Sequence, residues 1–297
     1  MNVVEVSGVS KSFKSVKVVD NVSFTIGQSE IFGMVGPNGA GKTTTIRMLM
    51  DIIKPDSGEI KILGEPINEE IKNHIGYLPE ERGLYKKLTV SQSLSYLAAL
   101  KNMKKPQASA KAEELLKQVN MLPHKDKKTE ELSHGMGQLI QFVATILHDP
   151  ELVVFDEPFA ALDPVNTQLL KELIIELRGK GKSVILSTHM MNQVEELCDR
   201  ILMIDKGRAV LYGSLAEVKM RYRNNSIFLE CDRLPDELPG VVGSKAHGKY
   251  VEIFLDGRVS PQDILGTLIS KGVKVDRFEV STPSLNEIFI QVVKEGR

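Results

Sequence analysis

The sequence predicts an α/β protein built on a mainly parallel sheet, followed by a smaller α+β unit. Three observations carry this. Short apolar runs that read as buried strands alternate with helical patterns, an order that places helices on the faces of a parallel sheet. A glycine-rich run, GPNGAGKTT, joins the first such strand to the first helix. After about Arg223 the pattern changes to short strand-like runs around two capped helices.

The elements follow in order. Residues 1–29 alternate apolar and polar with turn signals between, which suggests short antiparallel strands and an antiparallel β subdomain. EIFGMV at 30–35 is a buried strand, and the helix after the glycine-rich run extends to about Ile53, stopped by Pro55. From Leu88 to about His148 the pattern is mainly helical, with a polar break near KNMKKPQAS; this is a helical subdomain. ELVVFDEP is a second buried strand, 165–180 a helix, SVILSTH a third strand, NQVEELCDR a helix, and RILMID with RAVLYG a final strand pair.

The polar stretch RYRNN then divides a first domain, 1–223, from a second, 224–297. In the second, SIFLECD, KYVEIFLD and VKVDRFEV are strand-like. SPQDILGTLISKG is a helix with Ser260 as cap and Pro261 at its first position. STPSLNEIFIQVV carries a capping box of Ser284 with Glu287. No motif in this domain carries chemistry, and no internal repeat or low-complexity segment is present.

Composition excludes several functions. The 297 residues hold 38 Lys plus Arg and 39 Asp plus Glu, so no global field favours nucleic acid or an anionic membrane. There is no Trp, and no aromatic-plus-basic array of the kind that stacks single-stranded bases. The start, MNVVEVSGVSKSF, lacks a basic segment followed by an apolar core, so no secretory signal is expected. No apolar run approaches the roughly 18–20 residues that span a bilayer. Cys198 and Cys231 form no metal pattern and read as reduced structural thiols. The expectation is a soluble, cytosolic protein.

Gly36, Pro37, Asn38, Gly39, Ala40, Gly41, Lys42 and Thr43 fit G-x-x-x-x-G-K-[ST], with Thr44 following. Glycines let such a loop wrap closely around phosphate, and the helix N-terminus adds partial positive charge. Lys42 supplies a point charge for β- and γ-phosphates, and Thr43 a hydroxyl for Mg²⁺. The loop alone leaves kinase, GTPase and ATPase open, and no NKxD guanine-reading motif is present. In LVVFDEP, Asp156 and Glu157 end a buried strand. Alone they are a polar strand end. Beside a phosphate loop, Asp156 can hold the Mg²⁺ shell, and Glu157 can orient and deprotonate an attacking water. LSHGMGQ at 132–138 reads first as a helix start with Ser133 as N-cap.

With GPNGAGKT, LSHGMGQ, LVVFDEP, ALDP and STH in this order, the chain resembles the ATP-binding cassette (ABC) ATPases over roughly residues 1–220. The resemblance implies a P-loop NTPase core that binds ATP and Mg²⁺ and closes as a head-to-tail dimer. Phe13 matches the aromatic that stacks on adenine, against the alternative of a core aromatic. His189 matches the switch histidine that contacts the γ-phosphate, against a structural histidine. Asp163 matches the loop that communicates between subunits. LSHGMGQ matches the family signature, so Ser133, His134, Gly135 and Gln138 are expected to reach ATP held by the other subunit; His134 and Met136 depart from the commonest LSGGQ. Glu80, in IGYLPEERGLY, stands where the family usually has Gln at the Mg²⁺ and attacking water.

LPEERGLY and the small C-terminal domain ending TPSLNEIFI resemble the sodium- or drug-export branch, including the NatA-like proteins. The implied partners are ATP, a second copy or a paralogous ATPase subunit, and separate membrane permease subunits, but no nucleic acid. The chain would then sit on the cytoplasmic face of the membrane, held through the permease, with segment 88–148 and the loop from Glu80 to Tyr85 as the coupling surface. The rival readings are a soluble cassette ATPase outside transport and a non-catalytic interaction subunit.

Overall fold

The structure, a computed structural model, describes all residues except Met1, Arg82, Arg223, Asn224, Asp236, Glu237, Gly296 and Arg297, and the side chain of Glu295. The described chain forms β1 (Asn2–Phe13), β2 (Val16–Gly27), β3 (Ile31–Val35), α1 (Lys42–Leu49), β4 (Ser57–Ile62), β5 (Glu65–Pro66), α2 (Glu69–Asn73), β6 (Ile75–Leu78), α3 (Val90–Leu100), α4 (Lys105–Gln118), α5 (His134–Ile146) and β7 (Leu152–Asp156). Then come α6 (Pro164–Gly179), β8 (Ser183–Thr188), α7 (Met191–Leu197), β9 (Arg200–Asp205), β10 (Arg208–Ser214) and α8 (Leu215–Arg221). The last elements are β11 (Ser226–Cys231), β12 (Val241–His247), β13 (Tyr250–Leu255), α9 (Pro261–Ser270), β14 (Val275–Val280) and α10 (Leu285–Glu295). Two compact units result, residues 1–215 with 292–297, and residues 216–291. The boundary expected between Arg223 and Asn224 lies outside the described residues.

In the first unit, a six-stranded sheet has the order β10-β9-β3-β8-β7-β6. Its five strands from β9 to β6 pair in parallel, and β10 is antiparallel to β9. Every residue of β3, β7 and β8 is buried, as befits parallel strands covered on both faces. A fully buried aliphatic side chain in such strands contributes about 1.5–3 kcal/mol. A second, antiparallel sheet has the order β2-β1-β4-β5. Phe24 of that sheet stacks on Phe32 of β3 at 5.4 Å between ring centroids, joining both sheets to one core. In α5, Phe142 stacks on Phe155 of β7 at 5.2 Å, which fixes the helical segment against the strand that ends in Asp156.

Several expectations are corrected. The opening strands are long, 12 residues each. The turn signals around Gly8 are a bulge, where φ is 60° and the register with β2 shifts between Val6 and Val9. A bulge keeps one strand continuous while breaking its alternation. Helix α1 ends at Leu49, short of Ile53, because Asp51 turns into the left-handed region at φ 58°. Elements between 57 and 78, and β12 and α8, were not foreseen.

The second unit is an antiparallel sheet of order β12-β13-β11-β14. Ile227, Leu229, Ile253 and Leu255 pack against Ile264 and Leu268 of α9. Ser260 caps α9, and Asp263 returns the bond as a capping box. At α10, Ser284 N–H donates to Glu287 at 2.8 Å, and Glu287 N–H donates to the Ser284 hydroxyl at 3.2 Å.

Candidate active site

The loop from Gly36 to Gly41 leaves β3 and enters α1, and its conformation demands glycine. A Cβ at Gly36 would lie 2.1 Å from the Ile204 carbonyl oxygen. At Gly41, φ is 109° and a Cβ would meet the Val18 carbonyl oxygen at 2.7 Å. Pro37, Asn38 and Gly39 are exposed at the crest. Lys42 is buried, and its ammonium donates to the Gly36 carbonyl at 2.8 Å and the Pro37 carbonyl at 3.2 Å. An ammonium has three protons, so one remains for a ligand at the loop. Burial pulls the Lys42 pKa down, and the carboxylates of Glu157, Asp156 and Glu80 oppose this.

A cleft of about 340 Å³ opens on this loop. Glu80 and Glu157 share its walls with Asn38, Gly39, Gly41, Lys42, Thr43 and Thr44. Val18, which sequence reasoning missed, lines it too. Asp156 lies beneath, fully buried. Its Oδ1 accepts from the Ser187 hydroxyl at 2.8 Å, whereas Oδ2 is buried with no hydrogen-bond partner. Burial pushes the Asp156 carboxyl up, while the Ser187 and Thr43 hydroxyls act in the opposite sense. An unpartnered carboxylate oxygen near a hydroxyl is a donor set that fits a hard divalent cation. Among the described residues no cluster of three or more His, Cys, Asp or Glu could hold a metal. An ion here would therefore complete its shell from phosphate oxygens and water, the usual habit of Mg²⁺.

Glu157 adopts φ 52°, unusual for a residue with a side chain. Its N–H donates to the Ser187 carbonyl at 2.9 Å. One carboxylate oxygen, Oε2, accepts from the Thr188 hydroxyl at 2.9 Å. The other accepts from the His189 N–H at 3.0 Å and lies 2.8 Å from His189 Nδ1. The His189 ring is about half exposed. Strain of this sort persists only where neighbours hold it, and it clusters at reacting centres.

Other expected residues stand outside the cleft's lining. Phe13 is 48% exposed at the end of β1, which removes the core-aromatic alternative, and Lys11 Nζ sits 5.9 Å from its ring centroid. Ser133 caps α5, accepting from Met136 N–H at 3.2 Å, and both Ser133 and His134 are exposed. Gly135 approaches the next loop so closely that a Cβ would be 3.2 Å from the Ala161 carbonyl oxygen. Asp163 caps α6 through Asn166 N–H at 2.9 Å. Gln138 differs from Ser133 and His134 in its exposure. It is buried, and its amide donates to the Pro158 carbonyl at 3.1 Å. Helical periodicity turns it inward toward the strand-end loop of its own subunit.

A second concavity of about 420 Å³ lies between the sheet and the helical segment, with Ile52, Ile67, Ile75, Leu84, Leu97 and Leu100 on its walls. His148 lies here too. Burial first, then Lys101, pushes its pKa down to about 4, so the ring is neutral and Nε2 donates to the Ile75 carbonyl at 3.1 Å. Among the described residues no helix is long and apolar enough to cross a membrane.

Residues 19–160 match the family model described as ABC transporter, and residues 213–293 match that of the DrrA1-3-like ATP-binding protein C-terminal domain. The chain is 41% identical over 288 residues to an uncharacterized ABC transporter ATP-binding protein, YhaQ, of Bacillus subtilis, covering 96% of each. It is 37% identical over 253 residues to the Nod factor export ATP-binding protein I of Mesorhizobium japonicum, covering 84% of this chain and 74% of that one. A solved ATP-binding subunit of an ABC transporter superposes with a TM-score of 0.70 at 28% identity, over 74% of this chain and 93% of that chain.

Proposed function

Because the chain belongs to the ATP-binding subunits of ABC transporters, ATPases whose turnover is coupled to transport, we propose that it drives an exporter by closing as a dimer over two Mg²⁺·ATP. The observation that carries this is the shared cleft, where the phosphate loop with Lys42 faces the strained, doubly held carboxylate of Glu157. Asn38 to Thr44 bind the phosphates through backbone N–H groups, the α1 N-terminus and the Lys42 ammonium. Thr43 and Asp156 would hold Mg²⁺, which supplies charge neutralisation on the β- and γ-oxygens; Glu80 stands at the same wall. Glu157 takes a proton from water while the water oxygen bonds to the γ-phosphorus. The bond from that phosphorus to the bridging oxygen breaks, and ADP leaves with the electron pair.

Export is supported by the relative named for Nod factor export. Permease subunits would dock at the groove bounded by Leu84, Leu97 and Leu100, beside the loop that bears Glu80 and Tyr85. That places the protein on the cytoplasmic face of the membrane. Phe13, exposed at the mouth of the β subdomain, is the adenine platform.

The exposed start of α5 supplies the second half of each site in the dimer. Ser133→Arg tests this. The cap costs about 1 kcal/mol, too little to unfold the chain, and ATP binding by one subunit stays near parental. ATP-driven dimerisation, followed by light scattering, is expected to disappear. A variant that still dimerises with ATP removes the in-trans role of LSHGMGQ. The second domain is a separate unit in this reading. A chain ending near Arg223 is expected to keep ATP affinity in equilibrium binding; a folded truncation that binds no ATP contradicts it.

A further inference from the structure

We propose that Thr188 is a positioning residue for hydrolysis, its hydroxyl tying the Glu157 carboxylate to the backbone that follows β8. The proposal rests on Glu157 being the base. Thr188 is fully buried. Its Oγ1 lies 2.9 Å from Glu157 Oε2 and 3.1 Å from Met190 N. An amide N–H can only donate and an ionised carboxylate can only accept. The single Thr188 proton is therefore committed to Glu157, and its lone pair to Met190. The hydroxyl is a fixed bridge between the base and the segment that opens α7.

The other partners of the carboxylate are less permanent. The His189 ring is half exposed, with room to leave for a phosphate. If it does, Oε1 keeps the His189 N–H and Oε2 keeps Thr188. The arrangement repeats one residue earlier. Asp156 pairs with Ser187 in the parallel register of β7 and β8, and the Ser187 hydroxyl donates to Asp156 Oδ1 at 2.8 Å. Consecutive hydroxyls at one strand end hold consecutive carboxylates at the next. Neither hydroxyl need touch nucleotide to set the rate, because a misplacement of about 1 Å at a reacting group costs on the order of 10²-fold.

The test compares full-length Thr188→Val and Thr188→Ser in single-turnover hydrolysis of Mg²⁺·ATP, with equilibrium ATP binding on the same samples. Val keeps the shape and removes the hydroxyl; Ser keeps the hydroxyl. Thr188→Val is expected to lose about 10–100-fold in rate with ATP affinity within about threefold of parental, and Thr188→Ser to restore the rate to within about threefold. Adding Thr188→Val to Glu157→Gln should slow hydrolysis no further, since the base it positions is already gone. A parental rate in Thr188→Val, an equal loss in Thr188→Ser, or affinity falling in step with rate overturns the proposal. If Thr188→Val does not fold, Thr188→Ala, which cannot clash, is read by the same criteria. A parental rate in Glu157→Gln removes the base assignment itself; a slow Glu157→Gln beside a parental Thr188→Val removes only the positioning role.

Discussion

Glu157→Gln is expected to hold ATP and scarcely hydrolyse it. Gln matches the size of Glu and keeps one acceptor oxygen, so the His189 N–H and ring retain a partner. Its amide NH₂ cannot accept the proton of an attacking water, nor the one Thr188 now donates to Oε2. Loss of a positioned general base lowers the rate by about 10²–10⁴-fold. Affinity moves the other way. Glu157 is one of three carboxylates whose charges bear on Lys42 at the phosphate loop, and removing one relieves repulsion of the γ-phosphate. The variant should therefore accumulate as an ATP-bound dimer, visible by light scattering, with little phosphate released. Glu80→Gln is the control, since it restores the family's usual residue at an exposed wall position; it should keep substantial turnover. Parental hydrolysis by Glu157→Gln with a dead Glu80→Gln would mean that the two carboxylates have exchanged roles.

The parts of this site that are local in sequence were legible, and the parts that depend on register were not. A phosphate loop is a backbone shape, and its glycines announce that shape; the close contacts at Gly36 and Gly41 are its structural counterpart. Asp156 and Glu157 were legible because two carboxylates after four apolar residues cannot stay on a buried strand without a reason. Ser133 as a cap followed from the helical spacing beyond it. Ser187 and Thr188 gave no such signal. Hydroxyls are ordinary in strands, and only the parallel pairing of Asp156 with Ser187 turns them toward the carboxylates. The direction of the Gln138 side chain was not legible, because a motif gives a residue's position along a helix, while packing against Pro158 decides where it points. Among strands, β6 has four residues at a sheet edge, and β12 is an edge strand with no buried residue. Neither needs the apolar alternation by which half-buried strands are recognised.

Lys42→Ala should abolish most ATP binding without unfolding the protein. The side chain sits inside the loop, 6% exposed, with its ammonium held by two loop carbonyls. Of these carbonyls, that of Pro37 also accepts from the Ala40 N–H at 3.2 Å and keeps this partner once the ammonium is gone. Alanine is also the better residue in a first helical turn, so the melting temperature should change little. Binding is another matter. A charge-assisted hydrogen bond contributes about 1.5–3 kcal/mol, so the one ammonium proton left for the phosphates accounts for roughly 10–10²-fold in affinity at 1.4 kcal/mol per tenfold. The loss is deepened by what stays behind. Without Lys42, Asp156, Glu157 and Glu80 face the phosphates with no lysine to offset them. Lys42→Arg does not rescue, because a planar guanidinium exceeds the buried space of a compact ammonium. Titration of ATP into the folded variant decides the matter. An affinity within about threefold of parental would show that the phosphates sit elsewhere, and with them the roles assigned to Thr43, Asp156 and Glu157 would fall.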